Sequence, residues 1–296
     1  MNKMLSDWLT YLRRSPLLRI GFFLAMVLVL WFPVAWPLYR LSAQGRLPGG
    51  DLLPMLLLYL VFVLLLPPWE RRLHQSSSVW RQFGLIKPVR LWAALGVGAL
   101  IGSLSLATMV LIELVAGWLV LNPEAFNPGF LAPIVLSGAV TALAVGWAEE
   151  LLFRGWLLRE LEQGFSPGLA LATNGFIFAL AHFIKPLGQV LATWPQFLGL
   201  ALLGMTLVRA RRVRFPTQPG ETSLGLPIGL HSGLVWIYYV LNVSHLTRPT
   251  GQVPTWVTGL QGNPLAGLTG LCFLSGLLAL FYLWCRGSIP TGVSKG

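Results

Sequence analysis

Eight apolar runs, near residues 18–39, 51–68, 91–121, 130–158, 168–186, 188–208, 224–246 and 260–285, take up most of the chain. About 20 apolar residues carry a helix across roughly 30 Å of hydrocarbon, and a backbone in lipid has to satisfy its own hydrogen bonds. The chain is therefore predicted to be all-α, a polytopic membrane bundle of about eight transmembrane helices. Composition agrees, since 55% of the 296 residues are hydrophobic, 10% are charged and the mean hydropathy is +0.70, more than a soluble domain carries. The weakest runs are the second, which is short and holds Pro54, Pro67 and Pro68, and the fifth-to-sixth boundary at Lys185, Pro186 and Gly188. Arg13, Arg14 and Arg19 precede the first run as in a signal peptide. That run is long, however, and Arg40 comes before its only small-residue cleavage candidate, so it reads as a retained span.

A net charge of +11 raises the question of a nucleic-acid partner, and the placement of the cations answers it. With the N-terminus cytoplasmic, seventeen Lys and Arg fall on inner segments, in groups around Arg14, Arg71, Arg154, Arg211 and Arg286 and including Lys3 and Lys295. Only Arg40, Arg46, Lys185 and Arg248 fall outside. That is the positive-inside pattern, with both termini cytoplasmic and the lipid bilayer, not a nucleic acid, as partner. The stretch from Trp69 to Arg90 mixes cations with Trp80, Phe83 and Ile86 and suits either the cytoplasmic interface or a solvated loop. Residues 1–296 read as a single membrane domain. Two spans and the interfacial segment occupy 1–90, a helical core carrying the polar residues occupies 91–285, and 286–296 form a short cytoplasmic tail. Gly98 with Gly102, and Gly229 with Gly233, have the small-xxx-small spacing of close helix packing. Cys272 and Cys285 stand 13 residues apart in one apolar run, too far along a helix to pair.

Ionisable groups inside a span cost a few kcal/mol each and mark function by default. Here they are Glu113, Glu149, Glu150, Arg154, His182, His231 and, near a span end, His245. On a helix Glu150 and Arg154 are i and i+4, the favourable order for an ion pair. Glu149, at i+5 from the arginine, is left without a partner in its own helix. A turn centred near residue 166, in Gly164, Ser166, Pro167 and Gly168, lies 17 residues after Glu149 and 16 before His182. In an antiparallel hairpin these two residues share a depth, and His231 lies at a comparable depth on its own span. Glu113 lies near the opposite face, within range of pairing with Lys185 or Arg248. A carboxylate in a dry pocket takes a proton from water, and an imidazole orients that water or protonates a leaving amine. Zinc held by His and Glu would make a hydrolytic site too, but no short-spaced ligand motif is present. No G-x-S-x-G elbow and no Walker or Rossmann glycine pattern occurs.

Three patterns then carry a resemblance: E-E-x-x-x-R at Glu149, Glu150 and Arg154, F-x-x-x-H at Phe178 and His182, and G-L-H at His231. In order and spacing they resemble the motifs of the CPBP family, which includes the CAAX prenyl endopeptidases and abortive-infection-type membrane proteins. The resemblance implies a multi-pass intramembrane glutamic endopeptidase without a cofactor, acting on a membrane-associated protein or peptide. Glu149, His182 and His231 would be catalytic, and Glu150, Arg154 and Phe178 would support them. The third motif often continues as H-x-x-x-N, with the asparagine holding the developing oxyanion, but this chain has Val235 there. Tyr238 and Asn174 are the alternative donors, and Asn242 lies too far along the helix. Two further readings are a weakened family member acting as a membrane-protein scaffold and a transporter with a relay glutamate.

Overall fold

The computed structural model describes residues 11, 12, 14–215 and 222–287. Lys3, Arg13 and Lys295, counted above as cytoplasmic cations, lie outside them. Among the described residues the regular secondary structure is helical apart from one two-stranded pairing, and the contacts group into two compact units.

The first unit comprises the described residues up to Gln82 together with Arg159–Ser166. Its long helices are α1, Pro16–Ala43, and α2, Leu52–Leu73. Each proline inside α2 removes a backbone hydrogen bond, at about 3 kcal/mol in an ordinary helix, yet α2 continues through Pro67 and Pro68 to Leu73. The sequence places Trp69 in an interfacial segment; in the structure it belongs to the helix. The reason is packing. Trp69 and Leu73 are buried, and the Phe23 ring of α1 meets Trp69 edge-on at 5.0 Å. Beneath them Glu160 is saturated: Oε2 accepts from Arg19 Nε at 2.6 Å, and Oε1 from Trp69 Nε1 at 2.7 Å and His74 Nε2 at 2.8 Å. Glu70, equally buried, accepts from Arg159 Nε at 2.9 Å. Two buried carboxylates thus meet two guanidiniums, the condition under which burying charge is tolerable.

Leaving aside helices of three or four residues, the second unit holds α3, Pro88–Val115; α4, Pro128–Glu150, which continues through a π-helical segment, Leu151–Leu157, into the short α5, Leu158–Glu162; α6, Pro167–Ala181; α7, Leu187–Thr193; α8, Gln196–Arg212; α9, Gly225–Val243; and α10, Leu268–Gly287. From Arg159 on, α5 is grouped with the first unit. Strands β1, Leu119–Leu121, and β2, Thr247–Pro249, pair antiparallel with Val120 opposite Arg248. Pro128 and the Asn127 cap, whose side chain accepts from Gly129 N, set the start of α4.

Among the described residues six helices are long and apolar enough to cross a membrane, and a seventh span results if α7 and α8 count as one. The expectation of about eight is corrected at two places. The run 168–186 yields only the 15-residue α6, about 22 Å long and short of a full crossing. The run that follows is broken at Trp194–Pro195, where α7 and α8 meet at 78°, because proline cannot supply the hydrogen bond that would continue the helix.

Helix α9 packs most extensively on α3, then on α4. Glycines allow the approach: a methyl on Gly225, Gly229 or Gly233 would overlap the carbonyl oxygens of Leu91, Leu95 or Ala99 of α3, and one on Gly98 or Gly102 would overlap those of Leu226 or Leu230. Gly146 makes the same allowance for Ser232 on the α4 side. The obstructing atoms are backbone and cannot swing aside, so Gly229→Ala is expected to lower stability by about 1–3 kcal/mol. Gly96→Ala, on the same α3 but with open space around it, is expected to be neutral. Thermal unfolding of the purified variants checks both.

Candidate active site

The α9 packing delivers His231 to the end of α4. There Glu150, fully buried, accepts from His231 Nδ1 at 2.9 Å and from Arg154 Nη1 at 2.8 Å through the same oxygen, Oε1. Arg154 lies in the π-helical segment, a wide turn that often marks function, and its Nη2 donates to the Gly204 carbonyl of α8 at 3.1 Å. Its guanidinium also sits 4.3 Å from the centre of the Phe178 ring, a cation–π arrangement. A charge network thus runs from Gly204 through Arg154 and Glu150 to His231, out of water at every member.

Phe178, wholly buried on α6, is the hub. One ring contacts Arg154, His182 with centroids 4.7 Å apart, and His231 edge-on at 6.0 Å. The carbonyl of the same residue accepts from His182 Nδ1 at 2.8 Å. That bond turns His182 Nε2 towards Glu149, whose Oε2 lies 3.8 Å away, buried as an atom and without a hydrogen-bond partner. The two side chains are otherwise about a third exposed, 29% for Glu149 and 32% for His182.

The structure therefore brings all six candidate residues together but sorts them differently from a single dry pocket. Glu149 stands with His182, and both reach the surface; His231 stands with Glu150, and both are buried. Among the described residues no guanidinium forms an ion pair with Glu149, although Arg154 is close enough to interact with it electrostatically. The two alternative oxyanion donors are accounted for elsewhere. Asn174 donates to the Phe153 carbonyl at 2.8 Å, and Tyr238 lines a cavity with Leu106 and Met109. Val235 lines the same apolar cavity.

Sequence reasoning missed the Gly204 carbonyl, which no side-chain pattern marks, and the partner of Glu113. That carboxylate accepts from Thr269 Oγ1 at 2.6 Å, while Arg248 reaches Glu124 instead. Glu70, His74 and Glu160, in the first unit, have donor atoms within 4.8 Å of one another, a spacing open to a metal ion. Arg19 and Arg159 already neutralise these carboxylates, so a divalent ion would add uncompensated charge there.

Fold and site together define a multi-pass α-helical membrane protein with a partly exposed acid–imidazole pair beside a buried Arg–Glu–His network. Residues 129–237, which contain every one of these groups, match the family model described as Rce1-like, type II CAAX prenyl endopeptidase Rce1-like. This match assigns the segment to the CPBP family and supports a CAAX-type intramembrane protease function in general terms. No curated protein and no solved structure matched the chain.

Proposed function

We propose that the protein is an endopeptidase that hydrolyses peptide bonds of membrane-associated substrates with water activated by Glu149. The observation that carries this reading is the 3.8 Å between Glu149 Oε2 and His182 Nε2. A carbonyl only accepts, so the bond to Phe178 O puts the ring proton of His182 on Nδ1 and leaves Nε2 as a lone pair. Two acceptors at this separation suit one water about 2.8 Å from each, giving one O–H to each. The oxygen lone pairs of that water then face away from both groups, where a scissile carbonyl carbon would approach.

In the step that follows, the water oxygen bonds to the carbonyl carbon as its proton passes to Glu149. The proton then goes to the amide nitrogen as the C–N bond breaks, releasing an amine and a carboxylic acid, whose own proton passes to the amine to leave a carboxylate and an ammonium. His231 gives Nδ1–H to Glu150, so Nε2 is the atom left for substrate. As imidazolium it donates there to the developing oxyanion. Arg154 and Phe178 hold the arrangement. The description of the matching family model supports a prenylated CAAX-type peptide as the substrate class to test.

The test is cleavage of a prenylated CAAX peptide by purified protein in lipid nanodiscs, with chelator present. Cleavage by the wild type and its loss in Glu149→Gln is the expected result. Val235 supplies no donor where the family motif has asparagine. Val235 also favours a second reading, a non-hydrolytic scaffold, for which no cleavage and partners that co-purify equally with wild type and Glu149→Gln would speak.

A further inference from the structure

Glu113, on α3, has no place in the reaction above. It is 2% exposed, and no Lys or Arg among the described residues contacts it. Its hydrogen-bond partner among the described residues, the Thr269 hydroxyl, also lies 3.0 Å from the Val257 carbonyl. A hydroxyl has a single proton, so it cannot donate to both acceptors at once. An ionised carboxylate buried without a cation costs several kcal/mol, and a ligand that supplied one would be held strongly.

There is room for such a ligand. Glu113, Asn242 and His245 line a cavity of 430 Å³ whose exposed rim includes Pro249, Thr255 and Gly262. A second cavity, of 110 Å³, adjoins it through shared lining residues, Leu106, Met109, Tyr238 and Pro264, and is walled by Val235, Leu203, Phe273, Leu274 and Leu277. From Val235 to Asn242 the two extend over about 10 Å of α9 at 1.5 Å per residue. The smaller cavity is apolar and the larger one is partly polar and carries Glu113, an arrangement that complements a molecule with an alkyl tail and a cationic head. Together the two are of ordinary ligand-site size.

We infer that the second unit binds a single-chain primary amine, its ammonium on Glu113 and its alkyl tail against Val235, Leu274 and Leu277. The inference is independent of the peptidase reading. The test is native mass spectrometry of the full-length protein with decylamine, decanol and decanoate. One saturable decylamine per wild-type chain is expected, with decanol and decanoate at least tenfold weaker. Glu113→Gln, which keeps the shape and loses the charge, and Leu274→Trp, which fills the tail space without touching Glu113, are each expected to weaken decylamine at least tenfold. Glu113→Asp is expected to retain it. Equal binding of decanol and decylamine, as a neutral carboxyl would give, overturns the proposal, and so does decylamine binding unchanged in Glu113→Gln or Leu274→Trp.

Discussion

Glu149→Gln is expected to lower kcat for peptide cleavage by about 100- to 10 000-fold, the range that one positioned general base contributes. The amide keeps the size of the carboxylate but cannot take the proton of the attacking water. Glu149 makes no ion pair with Arg or Lys among the described residues and is about a third exposed, so folding stability is expected to stay within about 0.5 kcal/mol of the wild type. Activity and stability therefore separate in this variant. On the proposed mechanism, His182→Ala removes the second acceptor on the same water. Because the two residues act as one unit, the double variant is expected to be hardly worse than Glu149→Gln alone.

Arg154→Met is expected to do the reverse and destabilise the fold. It leaves Glu150 as a buried carboxylate with no guanidinium, and breaking such a pair from one side costs about 3–5 kcal/mol. The loss also frees the Gly204 carbonyl and the face of Phe178, two of the contacts that fix the site. Glu150→Gln combined with Arg154→Met removes both charges and is expected to recover most of the stability. His231 would then lack its ionised partner, so activity is expected to remain low. Denaturant unfolding and peptide cleavage on the three proteins separate the two effects. If Arg154→Met folds as well as the wild type, the buried network is not what holds the end of α4.

How much of this was legible in the residues depends on whether a feature is local. The ion pair of Glu150 with Arg154 spans four positions of one helix, so elementary geometry brings the two together. Counting outward from the turn near residue 166 puts Glu149 and His182 at one depth, but depth leaves facing open. Facing came from the π-helical segment and from the Phe178 carbonyl that turns the His182 ring. The preference of His231 for Glu150 over Glu149 depends on the register between α9 and α4, set by Gly146 and the α3-facing glycines. Spacing showed that those glycines pack, not what they pack against. Helix number was overcounted because hydropathy does not register the bend at Pro195 or the shortness of α6. The Arg19–Glu160 pair joins residues 141 apart, beyond the reach of any periodicity. Arg19 and Arg159 consequently read as loop cations, and the carboxylates they neutralise were not singled out.

The most direct measurement of the central claim follows the oxygen of the attacking water. Purified wild-type protein and Glu149→Gln in nanodiscs are incubated with a prenylated CAAX peptide in ¹⁸O-enriched water, and the products are weighed by mass spectrometry. One ¹⁸O in the new carboxylate made by the wild type, and next to no labelled product from Glu149→Gln, is the predicted result. Labelled product formed at equal rates by the two proteins, or none from either, would contradict it.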